Sequence, residues 1–302
     1  MKIGFAVPVS GPWATPEIIT EVAGRADELG YASLWTFQRL LYPEGTALSE
    51  TYHSVLDPLV TLGFLASCTQ RAKLGVAVVN FPFVSPILLA KQAAAIDVLS
   101  HGRLMLGLGL GWAEEEFTAT GATTGRRGTR LREYVQCLDA IFSGTPDFAG
   151  EFYRVPKSEV LPRPVQQPRP PVLLGGVVPA ALERAGRIAD GWISSSRADL
   201  RTIGESAALV RGAAEEAGRD PASLQIIVRG LVRLTDEQSG ERTPLTGSAE
   251  QIRADFVDLE AQGVDEVFVD LNFDPEFVAS DADPAATLAQ AHVVLESLAP
   301  VG

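Results

Sequence analysis

The chain has 302 residues, 46% of them hydrophobic and 21% charged, which supplies a large core and argues against disorder. Its formal net charge of −13 at pH 7 has the wrong sign for binding a phosphate backbone, so we expect no nucleic-acid partner. No apolar run reaches the roughly 18 residues that span a bilayer, and the N-terminus lacks the regions of a signal peptide. We therefore expect a cytoplasmic protein without a membrane partner.

Eight short, mostly apolar segments alternate with amphipathic helical stretches along the chain. Strands that are apolar throughout are typical of parallel sheets buried on both faces. Such alternation builds a doubly wound sheet or an α/β barrel, and the strand number and chain length favour the barrel, which takes about 250 residues. We predict a single α/β domain over residues 1–302, a (β/α)8 TIM barrel with loop insertions. The predicted strands are residues 2–9, 33–37, 73–80, 103–111, 171–176, 191–196, 224–234 and 266–272.

Five of the predicted helices begin at a proline that follows an extended or capping residue. Proline suits the first helical position because its missing N–H would have no partner there. Another helix start carries Ser248 and Gln251 at the spacing of a capping box. The five proline starts are Thr15-Pro16, Asp57-Pro58, Ser85-Pro86, Val178-Pro179 and Asp283-Pro284.

Residues beyond the usual length of a barrel fall into insertions at 38–56, 112–126, 143–170 and 235–247. We predict that the proline-rich stretch 153–171 is an extended loop over the barrel rim. The chemistry of such barrels lies at the C-terminal ends of the strands. We therefore expect the first, third and fourth of these insertions to set the substrate.

The cysteines and histidines are few and scattered. Neither Cys68 nor Cys137 belongs to a Cys-x-x-Cys motif, and His53, His101 and His292 lack the spacing of metal ligands. We expect no metal site, and we interpret both cysteines as small buried hydrophobic residues.

A glycine pair lies where the fifth predicted strand turns into a helix. Gly175 and Gly176 end the strand, and the helix starts at Pro179. Glycines let the backbone approach an anion, and the free N–H groups and dipole of a helix start favour a phosphate. An ordinary tight turn explains the same residues equally well.

Glycines also alternate along the fourth predicted strand, at Gly107, Gly109 and Gly111. The missing side chains either open space for a flat ligand or let layers of unequal size pack together. Trp112 and three acids at 114–116 follow. Clustered acids are typical of a solvated helix start, where the helix dipole stabilises them, although one can also face the cleft.

Polar residues follow two further strands. Asn80 can donate a hydrogen bond to the edge of a heterocycle or belong to a turn between core aromatics. Arg39 can pair with an anionic ligand or form a salt bridge at the rim. His53 is the histidine expected nearest to the barrel mouth. The sequence has no Ser/His/Asp arrangement in a nucleophile-elbow context, so a pocket poor in acid and base groups suits a cofactor that carries the chemistry itself.

Four stretches resemble the luciferase-like monooxygenase superfamily. They are SLWTFQRLLYP (33–43), the block from Leu74 to Phe117, RGTRLREYVQCLDAIF (127–142) and PVLLGGVVPAALERAGRIADGWI (171–193). The form LMLGLGLGWAEEEF, followed by RGTRLREY, is most similar to the branch that uses the deazaflavin coenzyme F-420. The resemblance implies a barrel that binds coenzyme F-420, with FMN as the alternative, and that forms a homodimer.

The resemblance also implies which residues bind the coenzyme. Such enzymes usually carry a non-prolyl cis peptide in a bulge of strand three behind the ring, here Ala77-Val78. Asn80 is implied to touch the polar edge of the ring, and the turn at 175–177 to hold the phosphate. The implied cofactor-binding residues are Gln38, Ala77, Val78, Asn80, Trp112, Glu115, Gly175, Gly176 and Val177.

The candidates for catalysis are Arg39, His53 and Glu116. Many members of the superfamily carry an acid and then a histidine after strand two, where this chain has Gln38 and Arg39. Arginine does not donate a proton at pH 7, which argues against the sugar-phosphate and alcohol dehydrogenase activities of such members. The leading hypothesis is hydride transfer between F-420 and a small organic substrate with an activated C=C bond, an imine or a nitro-aromatic group. An FMN-dependent monooxygenase and a non-catalytic flavin-binding barrel are the alternatives.

Overall fold

Eight parallel strands form a closed barrel in the computed structural model, which describes residues 1–236 and 242–300. In chain order the strands are β1 (Lys2–Ala6), β2 (Ser33–Thr36), β3 (Lys73–Asn80), β4 (Leu104–Gly109), β5 (Val172–Gly175), β6 (Gly191–Ile193), β7 (Gln225–Leu231) and β8 (Glu266–Asp270). Each strand pairs with its neighbours in the sequence, and β1 closes the ring against β8. The predicted TIM barrel is confirmed, and each of its strands lies within a segment predicted to be one.

Ten α-helices within the described residues surround the strands. They are α1 (Pro16–Glu28), α2 (Pro58–Cys68), α3 (Pro86–Leu99), α4 (Glu114–Thr120), α5 (Arg127–Phe142), α6 (Pro179–Ile188), α7 (Ile203–Glu216), α8 (Ala249–Ala261), α9 (Pro275–Val278) and α10 (Pro284–Leu298). All five predicted proline starts are confirmed as helix starts. The capping box of Ser248 and Gln251 is formed in both directions.

The lower half of the barrel, toward the N-terminal ends of the strands, is filled by aromatic side chains. Trp35 stacks on Phe268 with ring centroids 4.9 Å apart, and its indole N–H donates to Glu266 Oε1 at 3.0 Å. Gly75 makes room for this ring, because a Cβ at that position would lie closer than 3.0 Å to the indole. Burial raises the pKa of the Glu266 carboxyl group, although hydrogen bonds from Ser33 and Trp35 oppose that rise. A barrel closed below in this way leaves space only above, at the C-terminal ends of the strands.

The insertion at 143–170 does not cover the rim, so our prediction of a loop above the barrel was wrong. Residues 148–149 and 154–155 form a small antiparallel hairpin that runs along the outside of α5. Its tip hydrogen-bonds to Glu133 of that helix, and Gln166 then returns to the lower end, where it donates to Asp97 Oδ1 at 2.7 Å and to Leu104 O at 2.8 Å. The physical reason is the direction of the chain. Because α5 runs antiparallel to the strands, the segment that follows it begins at the lower face of the barrel.

Candidate functional site

A cavity of about 370 Å³ opens at the C-terminal ends of the strands. Its wall is apolar for the most part and is built by the residues that end or follow β2 to β8. Eight of the nine predicted cofactor-binding residues line it; Glu115, which is exposed, does not. Neither the 143–170 insertion nor the described part of 235–247 contributes to the lining, and residues 237–241 lie outside the described residues. The lining residues are Phe37, Gln38, Tyr52, Ala77, Val78, Asn80, 109–112, 175–178, Ala181, 193–196, Arg229 and Phe273.

One wall of the cavity is an irregular stretch of β3. The pairing of β3 with β4 shifts register between Val76 and Val79, and the peptide bond Ala77-Val78 within that bulge is cis, which confirms the prediction made from the family resemblance. The Asn80 backbone N–H donates to Gln38 Oε1 at 2.8 Å, so the Gln38 side chain, which follows β2, fixes the end of β3. The structure thus brings Gln38, Asn80 and the bulge together.

The alternating glycines of β4 are explained by packing. A Cβ on Gly107 would lie closer than 3.0 Å to the Val76 carbonyl oxygen, and a Cβ on Gly109 would overlap the Val78 side chain. Both glycines therefore let β4 sit directly against the bulge of β3. Gly109 and Gly111 also line the cavity, so the bulged wall reaches the ligand space only because β4 lacks side chains there.

The glycine turn after β5 places the start of α6 at the cavity. Trp192 Nε1 donates to Gly176 O at 2.9 Å, and a Cβ on Gly176 would lie closer than 3.0 Å to Ala181. The N-cap of α6 is Val178, whose side chain cannot accept a hydrogen bond from the first turn. Pro179 has no N–H and the Ala181 N–H donates to Val178 O at 2.8 Å, so the first turn offers the Ala180 N–H and the positive end of the helix dipole beside the cavity.

Aromatic side chains form another wall of the cavity. Tyr52 lies at the centre, with ring centroids 6.0 Å from Trp112, 5.9 Å from Phe273 and 6.4 Å from Phe37. All four residues line the cavity, and Trp112 is 55% exposed at its mouth. The 38–56 insertion contributes Tyr52 to this aromatic wall. Such a wall suits a flat, apolar molecule.

Two of the predicted catalytic residues pair with each other outside the cavity lining. Arg39 Nε lies 3.5 Å from Glu116 Oε1, and both side chains are buried. Glu116 also accepts a hydrogen bond of 2.8 Å from the Leu40 amide, while the Arg39 guanidinium lies 4.7 Å from the Trp112 ring centroid. The pair ties the insertion after β2 to α4 and supports the aromatic wall from behind. Of the two alternatives that the sequence left for Arg39, the structure shows the salt bridge.

His53 lies apart from this arrangement. It is exposed, does not line the cavity and packs edge-on against Tyr42, with ring centroids 5.0 Å apart. The catalytic roles of Arg39, His53 and Glu116 stay predictions.

Sequence reasoning did not select Arg229, a guanidinium buried beside the cavity at the end of β7. It contacts the Asp270 carboxylate of β8 at 3.3 Å and donates a hydrogen bond across the barrel to the Ala77 carbonyl oxygen. The rings of Phe37, Phe268 and Phe273 surround it at 5.0 to 5.5 Å. Burial lowers the pKa of Arg229, and the charge of Asp270 acts in the opposite direction. Its position at the end of a strand was the available sequence signal.

Neither a metal site nor a membrane-spanning helix is found within residues 1–236 and 242–300. No group of three or more His, Cys, Asp or Glu side chains could hold a metal ion there. None of the helices there is long and apolar enough to cross a bilayer.

Comparison with known families identifies the chain. Residues 3–242 match the model of the luciferase-like monooxygenase family. The chain belongs to this family. Membership agrees with the closed parallel barrel and with the glycine-rich block from which the resemblance was first inferred.

Proteins that are similar to this chain include an F-420-dependent and a flavin-dependent enzyme. An uncharacterized protein of Mycobacterium tuberculosis is 39% identical over 176 residues, which is 57% of this chain and 60% of that protein, so the match spans less than two thirds of its length. An F-420-dependent glucose-6-phosphate dehydrogenase of Kineococcus radiotolerans is 29% identical, over 97% of this chain and 88% of its own. The oxygenase component of a flavin-dependent trigonelline monooxygenase of Acinetobacter baylyi is 31% identical, over 55% of this chain and 44% of its own.

Solved structures share the fold at low sequence identity. A monooxygenase of Streptomyces bottropensis superimposes with a TM-score of 0.81 at 23% identity, covering 99% of this chain and 98% of its own. An F-420-dependent tetrahydromethanopterin reductase of Methanopyrus kandleri has a TM-score of 0.77 at 16% identity, and 99% of both chains is covered. At these identities the likeness shows the fold alone.

Proposed function

We propose that this luciferase-like protein is an F-420-dependent oxidoreductase that acts on a small organic molecule. The observation that carries the proposal is a cavity that combines a bulged apolar wall, an aromatic wall and an uncapped helix start. A planar ring would lie against these walls, and its phosphate would lie at the start of α6, where the helix dipole favours an anion. When bound, a deazaflavin supplies a carrier of two electrons that does not activate dioxygen.

The side chains of this site would bind and orient rather than transfer protons. Val78 and Ala77 would support one ring face, and Tyr52 and Trp112 would exclude water from the other. Asn80 and Gln38 would face the polar edge of the ring. Because the described residues that line the cavity include no Asp, Glu, His, Cys or Lys, we propose that hydride transfer precedes protonation, as for an activated C=C bond, an imine or a nitro-aromatic group.

The choice of F-420 over FMN rests on the glycine-rich block and on the length of the similarity. The F-420-dependent relative matches 97% of this chain, whereas the flavin-dependent monooxygenase matches 55%. This chain has Gln38 and Arg39 where many members of the superfamily carry an acid and a histidine, and arginine does not donate a proton at pH 7, which argues against the dehydrogenase activities of such members.

Binding and oxygen uptake test the proposal together. Reduced F-420 should bind the purified protein more tightly than reduced FMN in anaerobic titrations followed by fluorescence. With an electron-poor acceptor, the absorbance of reduced F-420 should change at the same rate with and without oxygen. Tighter binding of FMN, with oxygen uptake that tracks product, would establish the monooxygenase instead. Tight binding of either coenzyme without turnover on any acceptor would establish the flavin-binding barrel.

We also propose that the protein is a homodimer that buries an apolar face of α2 and α3. These two helices pack side by side, and their outer surface exposes Val60 (73%), Phe64 (41%), Leu88 (52%) and Leu99 (62%). We propose that these side chains together form an apolar patch of the kind that is typical of an interface. The double change Val60→Asp and Phe64→Asp should give a folded monomer in light scattering, whereas Val257→Asp, on the remote helix α8, should leave the dimer intact. A monomeric wild-type protein would refute the proposal.

A further inference from the structure

One charged side chain lines the cavity within the described residues, and it is Arg229. Its guanidinium is 7% exposed, surrounded by three phenylalanine rings, and donates to the carbonyl oxygen of Ala77 in the bulged wall. Its Nε is buried without a hydrogen-bond partner. Arginine stays charged at neutral pH, so the wall that we assign to the coenzyme ring carries a positive charge in a region of low dielectric.

The countercharge lies on the side away from the cavity. Asp270 is 1% exposed and does not line the cavity. Its Oδ1 accepts hydrogen bonds of 3.0 Å from the Asn272 amide and side chain, while Oδ2 faces Arg229 and accepts no hydrogen bond. The Asn272 side chain in turn is held by Val7 and Val9 of the β1 end. The pair is therefore a fixed dipole, with its positive end toward the cavity and its negative end anchored behind.

We propose that the Arg229–Asp270 pair tunes the redox balance of the coenzyme by binding its reduced form more tightly than its oxidised form. This inference rests on the proposed function. Uptake of a hydride brings two electrons and one proton to the ring, so the reduced ring gains one negative charge relative to the oxidised ring. A preorganised positive charge beside the ring stabilises that added charge without reorganisation. Arg229 is thus a residue that sets the hydride affinity of the bound coenzyme, and Asp270 limits its effect.

The two partners of the pair should shift this preference in opposite directions, which a purely structural role would not do. Arg229→Met removes the positive end and should lower the ratio of oxidised to reduced dissociation constants about tenfold, equal to about 30 mV for a two-electron couple. Asp270→Asn removes the negative end and should raise the same ratio. Arg229→Lys should restore most of the preference that Arg229→Met loses.

The measurement uses coenzyme F-420 and FMN as probes, each titrated anaerobically in the oxidised form and in the form reduced beforehand. The matched control is Arg233→Met, which removes an arginine four residues beyond Arg229, two residues past the end of β7. This side chain is 52% exposed, pairs with Glu276 and does not line the cavity. Its removal should leave the ratio unchanged. Circular dichroism and thermal denaturation establish that each variant is folded.

Opposite shifts in the two partners, with an unchanged control, support the inference. Equal loss of both coenzyme forms in Arg229→Met, or shifts of the same sign in both variants, would overturn it while leaving the proposed function in place. Failure of the wild-type protein to bind either probe would overturn the proposed function and the inference together. If Arg229→Met does not fold, the sign of the Asp270→Asn shift decides alone.

Discussion

A single substitution at the start of α6 separates helix capping from phosphate binding. Val178 is the N-cap of this ten-residue helix, lines the cavity and is 57% exposed. Val178→Asp supplies a carboxylate that can accept from the first-turn N–H groups, but it also places a negative charge where we propose the coenzyme phosphate. Val178→Asn supplies the same hydrogen bond without the charge, and it is the matched control.

The two effects have opposite signs and known sizes. A good N-cap stabilises a protein by about 0.5–2 kcal/mol. In a chain of 302 residues that raises the melting temperature of the apoprotein by about 1–3 °C. Two like charges about 5 Å apart at the surface repel by about 1–3 kcal/mol, which weakens coenzyme binding by roughly tenfold to a hundredfold.

The assay compares FMN with riboflavin, which has the same ring and no phosphate. Val178→Asp should be more heat-stable than the wild type, should bind FMN much more weakly and should bind riboflavin unchanged. Val178→Asn should gain stability with little change in either affinity. Equal affinity of the aspartate and asparagine variants for FMN would place the phosphate elsewhere, and loss of heat stability in both would refute the capping argument.

Three further predictions concern stability. Glu266→Gln should raise the free energy of unfolding at neutral pH. Burial raises the pKa of the Glu266 carboxyl group in the folded protein. The protonated carboxyl group therefore contributes its full stability below the unfolded pKa of about 4.3, and this contribution is lost as the pH rises through the folded pKa. Urea denaturation at several pH values should show the advantage of the variant vanish in acid. Gly107→Ala should destabilise the protein by about 1–3 kcal/mol because its Cβ meets the main chain of β3, whereas Gly212→Ala in α7, with open space around it, should stabilise it by about 0.5–1 kcal/mol. In thermal denaturation, a more stable Gly107→Ala or a less stable Gly212→Ala would contradict this reasoning. Arg39→Met and Glu116→Gln should each lower the free energy of unfolding by about 3–5 kcal/mol, because each leaves a buried charge without its partner. In a double-mutant cycle measured by urea denaturation, the double variant should lose less than the sum of the two. Additive losses would show that the buried pair does not interact.

Local chemistry made the barrel predictable from the sequence. Apolar runs separated by helical periodicity give the strands, and the residue before a proline is confined to extended backbone, which marks a helix start within one position. These rules hold residue by residue, so Thr15, Asp57 and Ser85 were correctly assigned as helix caps. Most residues that line the cavity could be predicted as well, because the C-terminal ends of parallel strands all lie on the same face of the barrel.

Tertiary relations were out of reach of the same reasoning. Arg229 is 41 residues from Asp270 and 152 from Ala77 in the chain, and only barrel closure brings them together. The pairing of Arg39 with Glu116 likewise joins two loops that a sequence pattern treats as independent. The insertion at 143–170 was misplaced because its proline content indicates extended backbone but carries no information about the face on which it lies.

The location of the 143–170 insertion has a consequence for engineering the substrate selectivity of the protein. Because Gln166 is fastened to Asp97 and Leu104 at the lower face, the longest added segment works as an external brace on α5. Substitutions introduced in residues 143–170 should therefore change expression and heat stability rather than selectivity. The loop at 38–56 carries Tyr52 into the cavity and is joined to α4 by the buried Arg39–Glu116 pair, so changes in this loop should alter selectivity.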